Sequence, residues 1–147
     1  MYNAILLPID PETVDASVKA IASAVRVAQD YDADLHLLSV VLKPGAYAST
    51  FFPPDFIEKN VDVVRKKLDQ IRQGIDLPSE RLKLHVAIGS IYDEIIALSR
   101  KFEIDLIVMA SHRPELSDYL LGPNAARVVR HAACSVMVVR QQTDDVT

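Results

Sequence analysis

Cysteine occurs once, at Cys134, so no disulfide can form within this chain of 147 residues, which fits a reducing, cytoplasmic compartment. No apolar run approaches the roughly 18 residues that a membrane helix needs. The opening Met1-Tyr2-Asn3-Ala4 puts no basic stretch ahead of its short apolar run, so no signal peptide is expected either. Glycine is scarce, with only Gly45, Gly74, Gly89 and Gly122. Neither G-x-x-x-x-G-K-[ST] nor G-x-G-x-x-G is present, which removes the usual phosphate-loop and dinucleotide signatures. Basic clusters are lacking as well. A net charge of −4 without a Lys/Arg patch argues against nucleic acid and anionic membranes as partners. The four histidines, His36, His85, His112 and His131, are scattered without the spacing of zinc ligands.

What remains is half apolar and a quarter charged, enough for a real core beneath a soluble surface. Two periodicities alternate along it. Ile5–Ile9, Leu35–Leu42 and Leu106–Ala110 are short apolar runs of the kind buried strands give. Val136–Val139 is a fifth strand, and Leu82–Ile88 alternates apolar and polar residues, as an edge strand with one wetter face does. Between the strands, Val14–Ala28, Ile57–Ile75 and Ile91–Phe102 repeat apolar residues at spacings of three and four, the mark of amphipathic helices. Ser90 is placed as an N-cap with Asp93 in capping-box position. A fourth helix is expected from about Gly122 to Ala133. The alternation predicts a single α/β domain over residues 1–142 with a polar tail at 143–147. Its five-stranded sheet is doubly wound and parallel, in the order 3-2-1-4-5, with right-handed crossovers and helices on both faces, as in flavodoxin- or Rossmann-like folds. Pro8 is tolerable in a central strand only at its carboxyl end.

Such sheets bind ligands outside the carboxyl ends of their strands, where the strand order reverses. That point gathers Pro8-Ile9-Asp10, Val40-Val41, the Ala110–Leu121 loop and the start of the fourth helix. Gly122 and Pro123 at a helix start read equally as an anion site or as a simple N-cap followed by a helix-starting proline. Asp10 could mimic the phospho-acceptor of a receiver domain, but the acidic pair, the third-strand Asp and the fifth-strand Lys are missing. Tyr47, Phe51 and Phe52 read either as a lid or as sheet-edge packing, Arg127 and Arg130 as a solvated helix face, and Cys134 as a small core residue.

The stretch Ala110-Ser111-His112-Arg113-Pro114, then Tyr119-Leu120-Leu121-Gly122, Ala125-Ala126, Val129-Arg130-His131, Cys134-Ser135-Val136 and Val138-Val139-Arg140 resembles the universal stress proteins, most closely their F/G branch. Ile5-Leu6-Leu7-Pro8-Ile9-Asp10 and Ser39-Val40-Val41 fit the same family, so the likeness runs the length of the chain.

The resemblance implies ATP or AMP at the switch point, with Mg²⁺ accompanying a triphosphate. Pro8, Asp10 and Val40 would lie near the base, a strand backbone group reading the adenine edge; Ala110, His112 and Arg113 would line ribose and phosphates. Gly122 and Asn124 would hold the phosphates, with Ser135 close by. The family pattern G-x2-G-x9-G-[ST] is altered by Ala110 and Arg113, by one residue fewer before Gly122, and by Pro123 where a hydroxyl residue belongs. The first departures are shared by the F/G branch. Pro123 predicts a weakened phosphate site. The resemblance further implies a homodimer paired through Val136–Val139, an unnamed protein partner, and a stress-response binding and signalling role rather than a dedicated enzyme. A slow ATPase using Asp10 or His112, and a nucleotide-free interaction module, are the alternatives.

Overall fold

The computed structural model describes residues 1–111, apart from the side chain of Ser49, and residues 123–140. Five strands, β1 (Ala4–Pro8), β2 (Asp34–Leu42), β3 (Leu82–Gly89), β4 (Leu106–Ser111) and β5 (Ser135–Arg140), form one sheet. Its order is β3-β2-β1-β4-β5 and every pairing is parallel. The apolar runs take the central places, with Ile5, Leu6, Leu7, Leu35, Leu37, Leu38, Ile107 and Val108 fully buried. The wetter alternating strand is at the β3 edge, as its pattern predicts. Helices α1 (Val18–Tyr31) and α3 (Phe56–Gln73) cover one face, where Ala20, Ala24, Ala28 and Leu68 meet Ile5, Leu7 and Leu35. On the other face α4 (Ile91–Lys101) and α5 (Pro123–His131) bring Ile95, Ala125 and Val128 against Leu6, Leu38 and Ile107. A short helix, α2 (Ala46–Ser49), and two 3-10 turns, Pro11–Ser17 and Ser79–Arg81, complete the elements of the described residues.

The first helix begins later than its periodicity predicts. Residues Pro11–Ser17 form a 3-10 turn with a break at Thr13 (φ −130°, ψ 52°), and Val18 is 54% exposed. The turn wins because Asp10 accepts a hydrogen bond from the Glu12 N–H at 3.0 Å and Pro11 supplies a preset φ. The buried stripe is therefore Ala20-Ala24-Ala28, small residues that let α1 lie close on the sheet. The α4 cap also differs in detail. Ser90 Oγ accepts from the Asp93 N–H at 3.3 Å and donates to Asp93 Oδ2 at 2.7 Å, so the carboxylate takes the hydroxyl instead of the Ser90 N–H. Before it, Gly89 has φ 154°, and a Cβ there would stand 2.6 Å from Glu94 Oε1. Glycine is needed at this strand-to-helix joint.

Among the described residues no helix is long and apolar enough to cross a membrane.

Candidate functional site

The two ladders of β1 end at different places. Toward β2 it pairs from Ala4↔Asp34 to Pro8↔Leu38, and the Ile9 N–H still donates to the Leu38 carbonyl at 2.8 Å. Toward β4 it pairs only at Ile5↔Leu106 and Leu6↔Ile107. The cause lies in the sequence. Successive residues of a strand present their N–H and C=O groups to opposite neighbours. Asn3 and Ile9 bond to β2, while the Ala4 carbonyl accepts from Asp105 at the head of β4. Pro8 therefore faces β4, and it has no N–H to give. At the reversal of strand order the β1/β4 ladder therefore stops short, and Pro8 stands at the crevice between the two strands.

Around this crevice the structure gathers the carboxyl-end residues named from sequence. Pro8 and Ala110 are half-buried at the ends of β1 and β4, and Ala110 pairs with Val139. Asp10 is exposed, with one carboxylate oxygen engaged as the cap of the following turn. That turn is tethered to α3 by an ion pair between Glu12 and Lys67. Val40 lies two residues beyond the last β1 pairing. Since the Asp34 N–H and the Leu38 carbonyl both bond toward β1, Val40 has the same parity. Its N–H and C=O face the space that β1 has left, side by side as a donor and an acceptor. Asn124 is half-buried in the first turn of α5. His112, Arg113 and Gly122 lie outside the described residues.

Ser135 does not join this group. It is the first residue of β5 and pairs with Leu106, the first of β4, at the amino end of the sheet. A parallel strand that follows a returning helix must start at the end opposite that helix's own start, so Ser135 and Asn124 are separated by the length of the sheet. Arg127 is also turned to structure: its guanidinium lies 4.0 Å over the Tyr92 ring, joining α5 to α4. Tyr47 and Phe51 are 81% and 71% exposed and meet each other edge-on. Cys134 is half-buried beside a cavity of about 140 Å³ at the amino end, and burial pushes its thiol pKa up, as expected of a packing cysteine rather than a nucleophile.

Two features escaped the sequence. Ser39 is a polar residue among the apolar neighbours Leu37, Leu38, Val40 and Val41 of β2. It is 1% exposed, and its Oγ donates to the Ile9 carbonyl at 2.8 Å. Its presence inside Leu37-Leu38-Ser39-Val40-Val41 was the available signal. The second is the pairing of His36 with His85, Nδ1 to Nε2 at 2.9 Å, under the ring of Phe102. Burial, then the neighbouring His85, pushes the His36 pKa down from 6.5 to about 4, and Lys83 adds to this while Asp34 opposes it. Burial and then Lys101 lower that of His85. The described residues contain no group of three or more His, Cys, Asp or Glu side chains that could hold a metal ion.

A five-stranded parallel sheet in this order, with helices on both faces, defines an α/β domain of the Rossmann-like class. The universal stress protein family pattern matches residues 1–140. Universal stress protein G of Shigella flexneri is 35% identical over 143 residues, covering 95% of this chain and 100% of that protein. The chain belongs to the universal stress protein family. Among solved structures, the universal stress protein UspA from Lactobacillus plantarum superposes with a TM-score of 0.75 at 27% identity, over 95% of this chain and 98% of that one. A universal stress protein solved in complex with cAMP superposes with a TM-score of 0.63 at 21% identity, over 96% and 98% of the two chains.

Proposed function

We propose that this chain is an adenine-nucleotide-binding module, taking ATP or AMP at the β1/β4 crevice and acting in a cytoplasmic stress response as a homodimer. The observation that carries the reading is the unpaired backbone edge of Val40 beside Asp10. A parallel N–H and C=O complement the N1 acceptor and the N6 amino donor of adenine, while Asp10 is a carboxylate suited to ribose hydroxyls. The relative bound to cAMP, itself an adenine nucleotide, supports the choice of base. In this reading Pro8 and Ala110 form the walls, and His112, Arg113 and Gly122 with Asn124 receive the phosphates at the start of α5. Mg²⁺ accompanies a triphosphate there, as it does in solution. Ser135 has no part in the site, because it stands at the other end of the sheet.

The dimer in this proposal pairs β5 with its copy. β5 is an edge strand whose Val136, Met137, Val138 and Val139 are only half-buried, an arrangement that invites a further strand. A second reading, a nucleotide-free interaction module, is favoured by Pro123, which opens α5 without a hydroxyl or an N–H. Equilibrium titration of the purified chain with AMP and ATP, together with mass spectrometry of any molecule it retains, separates the two. Uptake supports the binder, and its absence supports the interaction module.

A further inference from the structure

Ser39 stands where the β1–β2 ladder should run one residue further. In a parallel ladder a residue that donates to one partner accepts, through its own carbonyl, from the residue two positions on. Ile9 donates to the Leu38 carbonyl at 2.8 Å, so its carbonyl is due to receive the Val40 N–H. It receives the Ser39 hydroxyl instead, also at 2.8 Å, in a buried setting where Ile9 is 4% and Ser39 1% exposed. Among the described residues no hydrogen bond joins the Val40 N–H to Ile9.

We propose that Ser39 is a positioning residue that sets base specificity: by holding the Ile9 carbonyl with its side chain, it stops the ladder early and keeps the Val40 N–H free for the purine edge. The inference rests on the adenine reading above. It gives a buried serine within an apolar stretch of β2 a purpose that packing does not, since an alanine would fill nearly the same space. Ser39 also fixes the direction in which the chain leaves β1, and Asp10 is the next residue after the carbonyl it holds.

Without the hydroxyl, the Ile9 carbonyl is buried with a lone pair to satisfy, and Val40 N–H is the donor that strand geometry offers it. Closing that bond zips the ladder over the base site. The test compares Ser39→Ala, Ser39→Thr and Ser39→Val, the last two matched in shape and differing in the hydroxyl. Two readouts are used, amide hydrogen exchange at Val40 with Val41 as control, and AMP titration. Ser39→Ala and Ser39→Val should slow exchange at Val40, leave Val41 unchanged, and weaken AMP by about tenfold, the loss of one hydrogen bond. Ser39→Thr should match wild type in both. A merely structural serine predicts faster exchange, not slower, on its removal. If Ala folds poorly, the Thr and Val pair carries the comparison. Unchanged or faster Val40 exchange in the hydroxyl-less variants overturns the proposal. If wild type takes up no AMP, the adenine reading falls while the exchange result still decides the role of Ser39.

Discussion

Pro8 faces β4 and has no N–H to give, so it withholds a donor where β1 and β4 part. In the proposed site a second proline, Pro123, would stand against the phosphates. It is the first residue of α5, where its fixed φ suits the helix but its nitrogen has no hydrogen. The N–H groups of Asn124 and Ala125 and the helix dipole remain, so a phosphate site there is weakened, not lost. Hydrogen bonds to charged groups contribute about 1.5–3 kcal/mol each, or roughly ten- to a hundredfold in affinity. Pro123→Ser should therefore tighten ATP by about that factor and change adenosine, which has no phosphate, much less. Titration of both proteins with ATP and adenosine checks it. An equal gain for adenosine would move the phosphates away from α5.

At the scale of elements, the second and third strands are held at their wet edge by His36 and His85, packed under Phe102 just past the end of α4. Both imidazoles have lowered pKa values in the fold, so the unfolded chain binds protons there that the folded chain does not. Stability then falls as pH drops from about 6.5 toward 4, and is fully present above the unfolded value. Thermal melts at about pH 7.5 and about pH 5 should differ more for wild type than for His36→Gln, which removes the most strongly shifted group. Equal acid sensitivity in the two proteins would contradict this. That pair was not legible from sequence, because His36 and His85 sit on different strands and only the register joins them. The strands themselves were legible, since apolar runs and one alternating run follow directly from burial on two faces or one. The start of α1 was not: the Val14 and Val18 spacing looks helical, and the turn cap from Asp10 overrides it locally. Ser135 was misplaced for a similar reason. It is close to α5 in sequence, yet the helix carries the chain back across the sheet before β5 begins.

At the scale of the whole molecule, the strand order was legible and with it the switch point where the proposed site is placed, whereas the detail there was not. That Val40 presents a free edge depends on hydrogen-bond parity and on Ser39, and neither leaves a periodic trace. The opposite side of the sheet from β3 raises the question of assembly. β5 has four half-buried apolar residues and a full six-residue ladder to β4, and in the proposed dimer its outer edge pairs with its copy. Val138→Lys places a charge in that edge. It should turn a dimer into a monomer in sedimentation, with the sheet intact by circular dichroism. A variant that still sediments as a dimer would send the interface elsewhere.

The central claim is that the Val40 edge reads adenine, and the most direct measurement compares AMP with inosine monophosphate by calorimetry. The two differ at the six position, where an amino group becomes a carbonyl and N1 gains a proton, so donor and acceptor exchange places. Facing Val40, both hydrogen bonds of adenine turn into like-facing pairs, while ribose and phosphate are unaltered. AMP should bind and inosine monophosphate should bind roughly a hundredfold more weakly. Equal affinity for the two, or no binding of AMP at all, would contradict the account.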